Sequence, residues 1–321
     1  MLLKDDRLDI NDKDNQGRTA LIWESRNGNA EVVRILLKDN RLDINAKDHD
    51  GNTALIWASR NGTGEVVDIL LKHERVDVNA DDKYGKTALI VASETGHQKI
   101  VDILLKDDRV DINGKDNQGR VALIWASFHG HAEVVRMLLR DDRLDINAKD
   151  NHGRTALIEA ILRGHEGVFR MLLKDDMLDI NDKDNQGRTA LVWASIHGKK
   201  EVVCMLLKDE WLDVNSKDLR GHSAFFWANY RASPDTIRVF LEHEGLDVNA
   251  TGGAPGNTPL MWACLRGQTA IVSEMLVAFP KVDVRAKNKA WSTALDIARE
   301  LKLLEIARLL EAHIESHTRR D

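Results

Sequence analysis

The residues best equipped for chemistry in this chain are twelve histidines, two cysteines, a glycine cluster and a series of Asp/Asn-rich segments. His131 and His165 hold equivalent places one period apart in a recurring pattern, and packed helices would set them roughly 10 Å apart. Ligands that share a zinc ion lie far closer, so these histidines do not read as a metal site. His313 and His317 are four residues apart on the last helical segment and could chelate, but a solvated helix end accounts for them better. Cys204 replaces Arg or Asp on an outer helix, and Cys264 belongs to an inner helix two copies further on. Units two apart are roughly 20 Å from each other, whereas a disulfide needs Cα atoms within about 7 Å. Neither thiol has the His/Asp neighbours that would activate a nucleophile. Gly252, Gly253 and Gly256 suggest a phosphate loop, yet no Lys-Ser/Thr follows them. The segment DINDKDNQG lacks the ligand spacing and central glycine of a calcium loop, so its aspartates read as turn-formers. No catalytic residue, metal site or cofactor is expected, and an enzyme is not.

These residues stand in 321, of which 43% are apolar and 31% charged, the composition of a folded globular chain. A net charge of -6 gives no reason to expect nucleic acid or an anionic membrane as partner. Two cysteines make no disulfide framework, which points to the cytoplasm, with the nucleus as the other compartment. The opening MLLKDDR is too short and charged for a signal peptide. No run approaches the roughly 18 apolar residues of a membrane span, so neither secretion nor membrane insertion is expected.

The elements that position these groups are copies of one unit. A string of the type LDIN places its Asn at Asn11, Asn45, Asn79, Asn113, Asn147, Asn181, Asn215 and Asn249, a constant period of 34. A ninth copy ends at Arg285, two residues late, and Leu8 to Leu21 recur letter for letter from Leu178 to Leu191. In the second copy, the polar stretch through Gly51 predicts a tight finger. Thr53 predicts the cap of a first helix, and Gly62 its left-handed end. Val66, Val67, Leu70 and Leu71 predict one apolar face on a second helix. Two short helices cannot cover that face alone. A neighbouring copy can, so the copies should share a continuous core.

The finger Asp at 14, 48, 82, 116, 150, 184 and 218, the Gly after it, Thr-Ala-Leu, the paired Val, the paired Leu and the closing Asp-Val/Ile-Asn resemble the ankyrin family over essentially the whole chain. The resemblance implies an all-α ankyrin-repeat solenoid: about nine helix-turn-helix units with short β-hairpin fingers, curved, with fingers and first helices on a concave face that takes partners. Residues 1–10 read as the remnant of a preceding repeat, 11–284 as eight stacked repeats, and 285–321 as a capping repeat. Thr-Pro-Leu-His of the family is Thr-Ala-Leu-Ile in most copies, so the His that bridges fingers is missing and the usual bonds between them are not expected. Trp23, Trp57, Trp125, Trp193, Trp227 and Trp262, where the family often has Leu, are expected to pack between repeats. Glu24 marks the first copy as a makeshift cap; Lys302, Glu311 and the polar tail mark the last. Ser233-Pro234-Asp235 after Ala232 predicts a rebuilt turn, and extra residues in the finger before Gly256 and near Pro280 predict a bend. The array is also similar to the repeat tails of large fungal signalling ATPases.

The family's variable positions gather Arg18, Arg26, Arg60, Lys83, Lys86, Arg120, Arg154, Arg163, Arg188, Arg220, Arg231 and Arg266, opposed only by Asp50 and Glu94. Acids such as Asp107, Asp108, Asp141, Asp142, Asp175 and Asp176 fall in the loops between repeats. At the ends of the first helices, Phe128, Leu162, Ile196, Tyr230 and Leu265 predict an apolar ridge flanked by His129, Arg163, His197, Arg231 and Arg266. These residues, with Arg120, Arg154 and Arg188, form the expected partner-binding set. The expected partner is another protein offering an acidic or acidic-apolar segment to a monomeric scaffold. The alternative is the sensor or regulatory arm of a larger, nucleotide-driven signalling protein.

Overall fold

The computed structural model describes residues 9–231, 233–278 and 282–318. The start of the expected remnant, Ala232, Pro280, the tail beyond 318 and the His317 side chain lie outside what is described. The chain forms two compact units, one ending at Leu178 and the other running from Asp179. Each is a stack of helix pairs. The first unit holds α1 (Ala20–Asn27), α2 (Ala30–Leu36), α3 (Ala54–Arg60), α4 (Gly64–Leu71), α5 (Ala88–Thr95), α6 (Gln98–Leu105), α7 (Ala122–His129), α8 (Ala132–Leu138), α9 (Ala156–Arg163) and α10 (Glu166–Leu172). The second holds α11 (Ala190–Ile196), α12 (Lys200–Leu206), α13 (Ala224–Tyr230), α14 (Pro234–Leu241), α15 (Pro259–Leu265), α16 (Thr269–Ala278), α17 (Ala294–Glu300) and α18 (Leu304–Thr318). Odd-numbered helices are the first of each repeat and even-numbered ones the second.

Helices this short are marginal in water, so neighbours must hold them. Val66, Val67 and Leu70 of α4 are fully buried while Leu71 is half-buried, and Ile100, Val101 and Leu104 of α6 repeat the pattern. Eight of the nine first helices among the described residues begin at a hydroxyl: Thr53 accepts from the Ile56 amide, and Thr19, Thr87, Thr155, Thr189, Ser223, Thr258 and Thr293 do the same three residues on. Repeat four has Val121 at this place and makes no such bond. Gly51 takes φ 81°, and a Cβ there would meet the Lys83 amide at 2.7 Å, which is why the finger tip needs glycine.

The fingers close as tight turns, with the Gly51 amide donating to the Asp48 carbonyl at 3.0 Å. Strand pairing among the described residues is limited to isolated bridges such as Asp81 to Thr87. Contrary to expectation, the fingers are joined to one another. The amides of His49, Lys83, Asn117 and Asn151 donate to the carbonyls of Gln16, Asp50, Tyr84 and Gln118 at 2.8 to 3.0 Å, and that of Leu219 to Gln186 at 2.9 Å. The backbone makes these bonds, so the missing side-chain His does not matter. Histidines do bridge elsewhere: Nε2 of His97, His131 and His165 bonds the Arg60, Glu94 and Phe128 carbonyls at 3.0 to 3.1 Å, tying the start of α6, α8 and α10 to the first helix of the repeat before.

The closing Asn residues form a further ladder. Asn45 Nδ2 donates to the Arg75 carbonyl at 2.9 Å, and its Oδ1 accepts from the Asp77 amide at 2.8 Å. Asn79 and Asn113 repeat both bonds in the first unit, and Asn181 and Asn215 in the second. The Asn249 to Asp283 bond survives the insertion before it at 2.9 Å. The irregular copies differ in detail. Ser233 starts α14 without capping its amides, since its hydroxyl bonds Thr236 Oγ1 at 2.8 Å. At the end, Lys302 adopts the left-handed φ of 58° where all other copies but the seventh have Gly, and Glu311 pairs with Arg299 at 2.7 Å.

Candidate interaction face

The face carrying fingers and first helices is built on one internal joint. In repeat two, Asp48 Oδ1 accepts from the Asp50 and Asn52 amides, and Oδ2 accepts from the Trp57 indole nitrogen at 2.8 Å. Trp23, Trp125, Trp193 and Trp227 make the same bond to Asp14, Asp116, Asp184 and Asp218 at 2.8 to 3.1 Å. The finger aspartate thus shapes its own turn and clamps that turn to the helix behind it. Backbone amides at Arg18 and Gln16 hold the Asp14 carboxyl well below the usual carboxylate range. Repeat eight has Gly252 in place of the aspartate, and the Trp262 indole nitrogen is buried without a partner.

Cations lie over these rings. In the first unit most are matched by acids: Arg18 with Asp14 at 3.0 Å, Arg60 with Asp82 at 3.3 Å, Lys83 with Asp50 at 2.6 Å and Lys86 with Glu94 at 2.7 Å. Repeat five replaces Trp by Glu159, whose side chain is fully buried between Arg154 at 3.1 Å and Arg163 at 3.8 Å. Asp150, without an indole to receive, keeps an unbonded Oδ2 near Arg120 Nε at 3.8 Å. The second unit is different. Arg188, Arg220, Arg231 and Arg266 form no ion pair among the described residues; Arg188 lies 4.9 Å from the Trp193 ring and 5.6 Å from Trp227, and Arg266 lies 4.2 Å from Tyr230.

A family model described as ankyrin repeats (3 copies) matches residues 1–82, 25–116, 75–150, 110–184, 143–218, 176–252 and 225–321. The chain belongs to the ankyrin-repeat family. No curated protein matches it. Along the ankyrin face, the sequence-predicted ridge residues differ in exposure. Phe128 and Leu162 are half-buried, with the Arg163 guanidinium 3.8 Å from the Phe128 ring, whereas Ile196 is only 8% exposed. Tyr230 and Leu265 are 36% and 37% exposed. His129 and His197 are exposed at one edge but stack on Trp125 and Trp193 at 5.8 Å, and Arg163, Arg231 and Arg266 are exposed beside them. Arg120, Arg154 and Arg188 are half-buried.

Sequence reasoning missed the counter-ions beneath the cations. It read the finger aspartates as turn-formers alone, although the constant nine-residue step from Asp48 to Trp57 and from Asp116 to Trp125 held the signal for the clamp. Chemically the ankyrin face offers cations, indole and phenol edges and imidazoles. Burial lowers the His129 and His197 pKa values, so both tend to be neutral near pH 7. Among the described residues, no group of His, Cys, Asp and Glu is arranged to hold a metal, and no helix is long and apolar enough to cross a membrane. Gly253 and Gly256 form an ordinary finger turn, bonded amide to carbonyl at 3.1 Å. Cys264 is buried, with its thiol pKa pushed up to about 12 by burial, and Cys204 is half-buried.

Proposed function

We propose that this ankyrin-repeat chain is a protein-interaction scaffold, without catalytic activity, that docks an acidic or acidic-apolar segment of another protein on its concave face in the cytoplasm or nucleus. Ankyrin repeats are generally protein-protein interaction modules. The finer reading rests on one observation: in repeats seven and eight, exposed apolar side chains, Tyr230 and Leu265, sit beside arginines that no internal carboxylate neutralises. In the same reading the first unit carries a contact patch of its own, Phe128, His129, Leu162 and Arg163 with Arg120 and Arg154 behind it, and Arg188 backs the patch of the second unit. Ile196, being buried, supports the surface and His197 touches the partner. The mechanism is preorganisation. Caps, clamps and ladders fix the face beforehand, so binding costs the receptor little ordering.

Selection of a displayed random-peptide library against the folded chain tests this. Enriched peptides should be acidic and should lose at least tenfold in affinity for a Tyr230→Ser, Leu265→Ser variant, since exposed aromatic anchors beside Arg are typical hot spots worth about 1–2 kcal/mol or more. The variant should unfold at the same temperature as the parent. Enriched peptides that bind parent and variant equally would place the interaction elsewhere.

A further inference from the structure

Resting on that reading, we infer that the face of repeats six to eight accepts its partner segment in extended form, with a carboxylate at every third residue. His197, Arg231 and Arg266 hold the same position in three successive repeats, just past the ends of α11, α13 and α15. Neighbouring helices pack roughly 10 Å apart, so this row offers hydrogen-bond donors at that interval, the imidazole of His197 and the two guanidinium groups of Arg231 and Arg266. An extended chain in polyproline-II form advances about 3.1 Å per residue with three residues per turn, so its side chains i, i+3 and i+6 face one side and keep roughly the same step. The match of the two periods is what singles out an extended segment; a helix rises only about 1.5 Å per residue and would need one acid every second turn.

The charges on this row have no internal outlet. Asp184 and Asp218 are buried and already accept two amides and an indole each. Gly252 removes the third aspartate altogether. In the first unit the one arginine at the matching place, Arg163, is answered internally by Glu159 at 3.8 Å, and the finger lysines Lys83 and Lys86 are answered by Asp50 and Glu94. Exposed arginines without an internal carboxylate favour an external one, and Arg231 and Arg266, the latter 4.2 Å from the Tyr230 ring, present planar donors suited to it. Beside the row, Tyr230 meets the Trp227 ring at 5.6 Å and the Trp262 ring at 6.2 Å, leaving with Leu265 an apolar strip for the residues between the acids.

Fluorescence anisotropy of two labelled twelve-residue peptides on the full chain decides the matter: one repeats Glu-Leu-Ser, the other has the same composition with its glutamates contiguous. The periodic peptide should bind at least tenfold more tightly. Its affinity should fall tenfold or more in an Arg231→Gln, Arg266→Gln variant and stay unchanged in a Lys83→Gln, Lys86→Gln variant, whose lysines are already paired. Equal affinity for the two peptides would overturn the spacing, as would no binding of either. Equal affinities that are both lost in the Tyr230→Ser, Leu265→Ser variant would overturn only the spacing and leave the docking face standing. A single-stranded oligonucleotide that displaces the periodic peptide at lower concentration, with a steep loss on adding salt, would overturn the peptide assignment in favour of nucleic acid.

Discussion

An indole nitrogen with an acceptor and one without make a natural pair of probes. Trp125 donates to Asp116, and a Trp125→Phe change should cost about 1–3 kcal/mol, because a buried carboxylate oxygen loses its partner. Trp262→Phe removes a donor that has no partner, so it should cost clearly less; urea unfolding of the two variants side by side gives the comparison, and equal losses would refute the clamp. The two thiols form a second pair. Cys204 should react with a thiol reagent in the native state, and Cys264 only after unfolding, because a fully buried group with a raised pKa offers neither access nor thiolate. A mass shift of two labels under native conditions would contradict this. The thiols could be ranked from sequence because each position's repeat context fixes its exposure. The fate of Glu159 could not, since nothing local announces that Arg154 and Arg163 close over it.

Helix ends are where local sequence speaks most directly, and Thr53, Gly62 and the Val66, Val67, Leu70 stripe were all legible because each depends only on neighbours within a turn. The exception at Val121 makes a test. Val121→Thr restores the hydroxyl that other copies offer to the third amide, and should raise stability by up to about 1 kcal/mol in denaturant unfolding. Trp291 gives the opposite case: it holds a glycine-type φ of 64° in the finger of repeat nine while 76% exposed. Trp291→Gly should stabilise the chain by about 1 kcal/mol through relief of left-handed strain, and a loss would show that the ring packs usefully. The bonds from finger to finger were not legible. They join backbone groups one period apart, and a backbone amide leaves no mark on the residue type that carries it.

At the level of the whole molecule, the histidines set the response to acid. Burial lowers the folded-state pKa values of His129, His197 and His222, so below about pH 6.5 the unfolded chain binds more protons than the folded one and stability falls as pH falls. The urea midpoint should therefore be lower at pH 5.5 than at pH 7.5, and a flat profile would show these rings to be freely solvated. Asp107 and Asp141, held low by Arg109 and Arg143, bring a further loss only in more acid solution. Periodicity alone revealed that the molecule is a stack of repeats; the uneven charge of its face needed coordinates, since it depends on which acids reach which bases. The asparagine ladder carries one more implication. The rungs at Asn45 and Asn113 join each asparagine to backbone groups 30 and 32 residues on, in the next repeat, so these seams share one chemistry whatever side chains flank them. Removal of one whole 34-residue period between such copies should therefore leave the asparagine on one side of the splice facing the same backbone partners on the other.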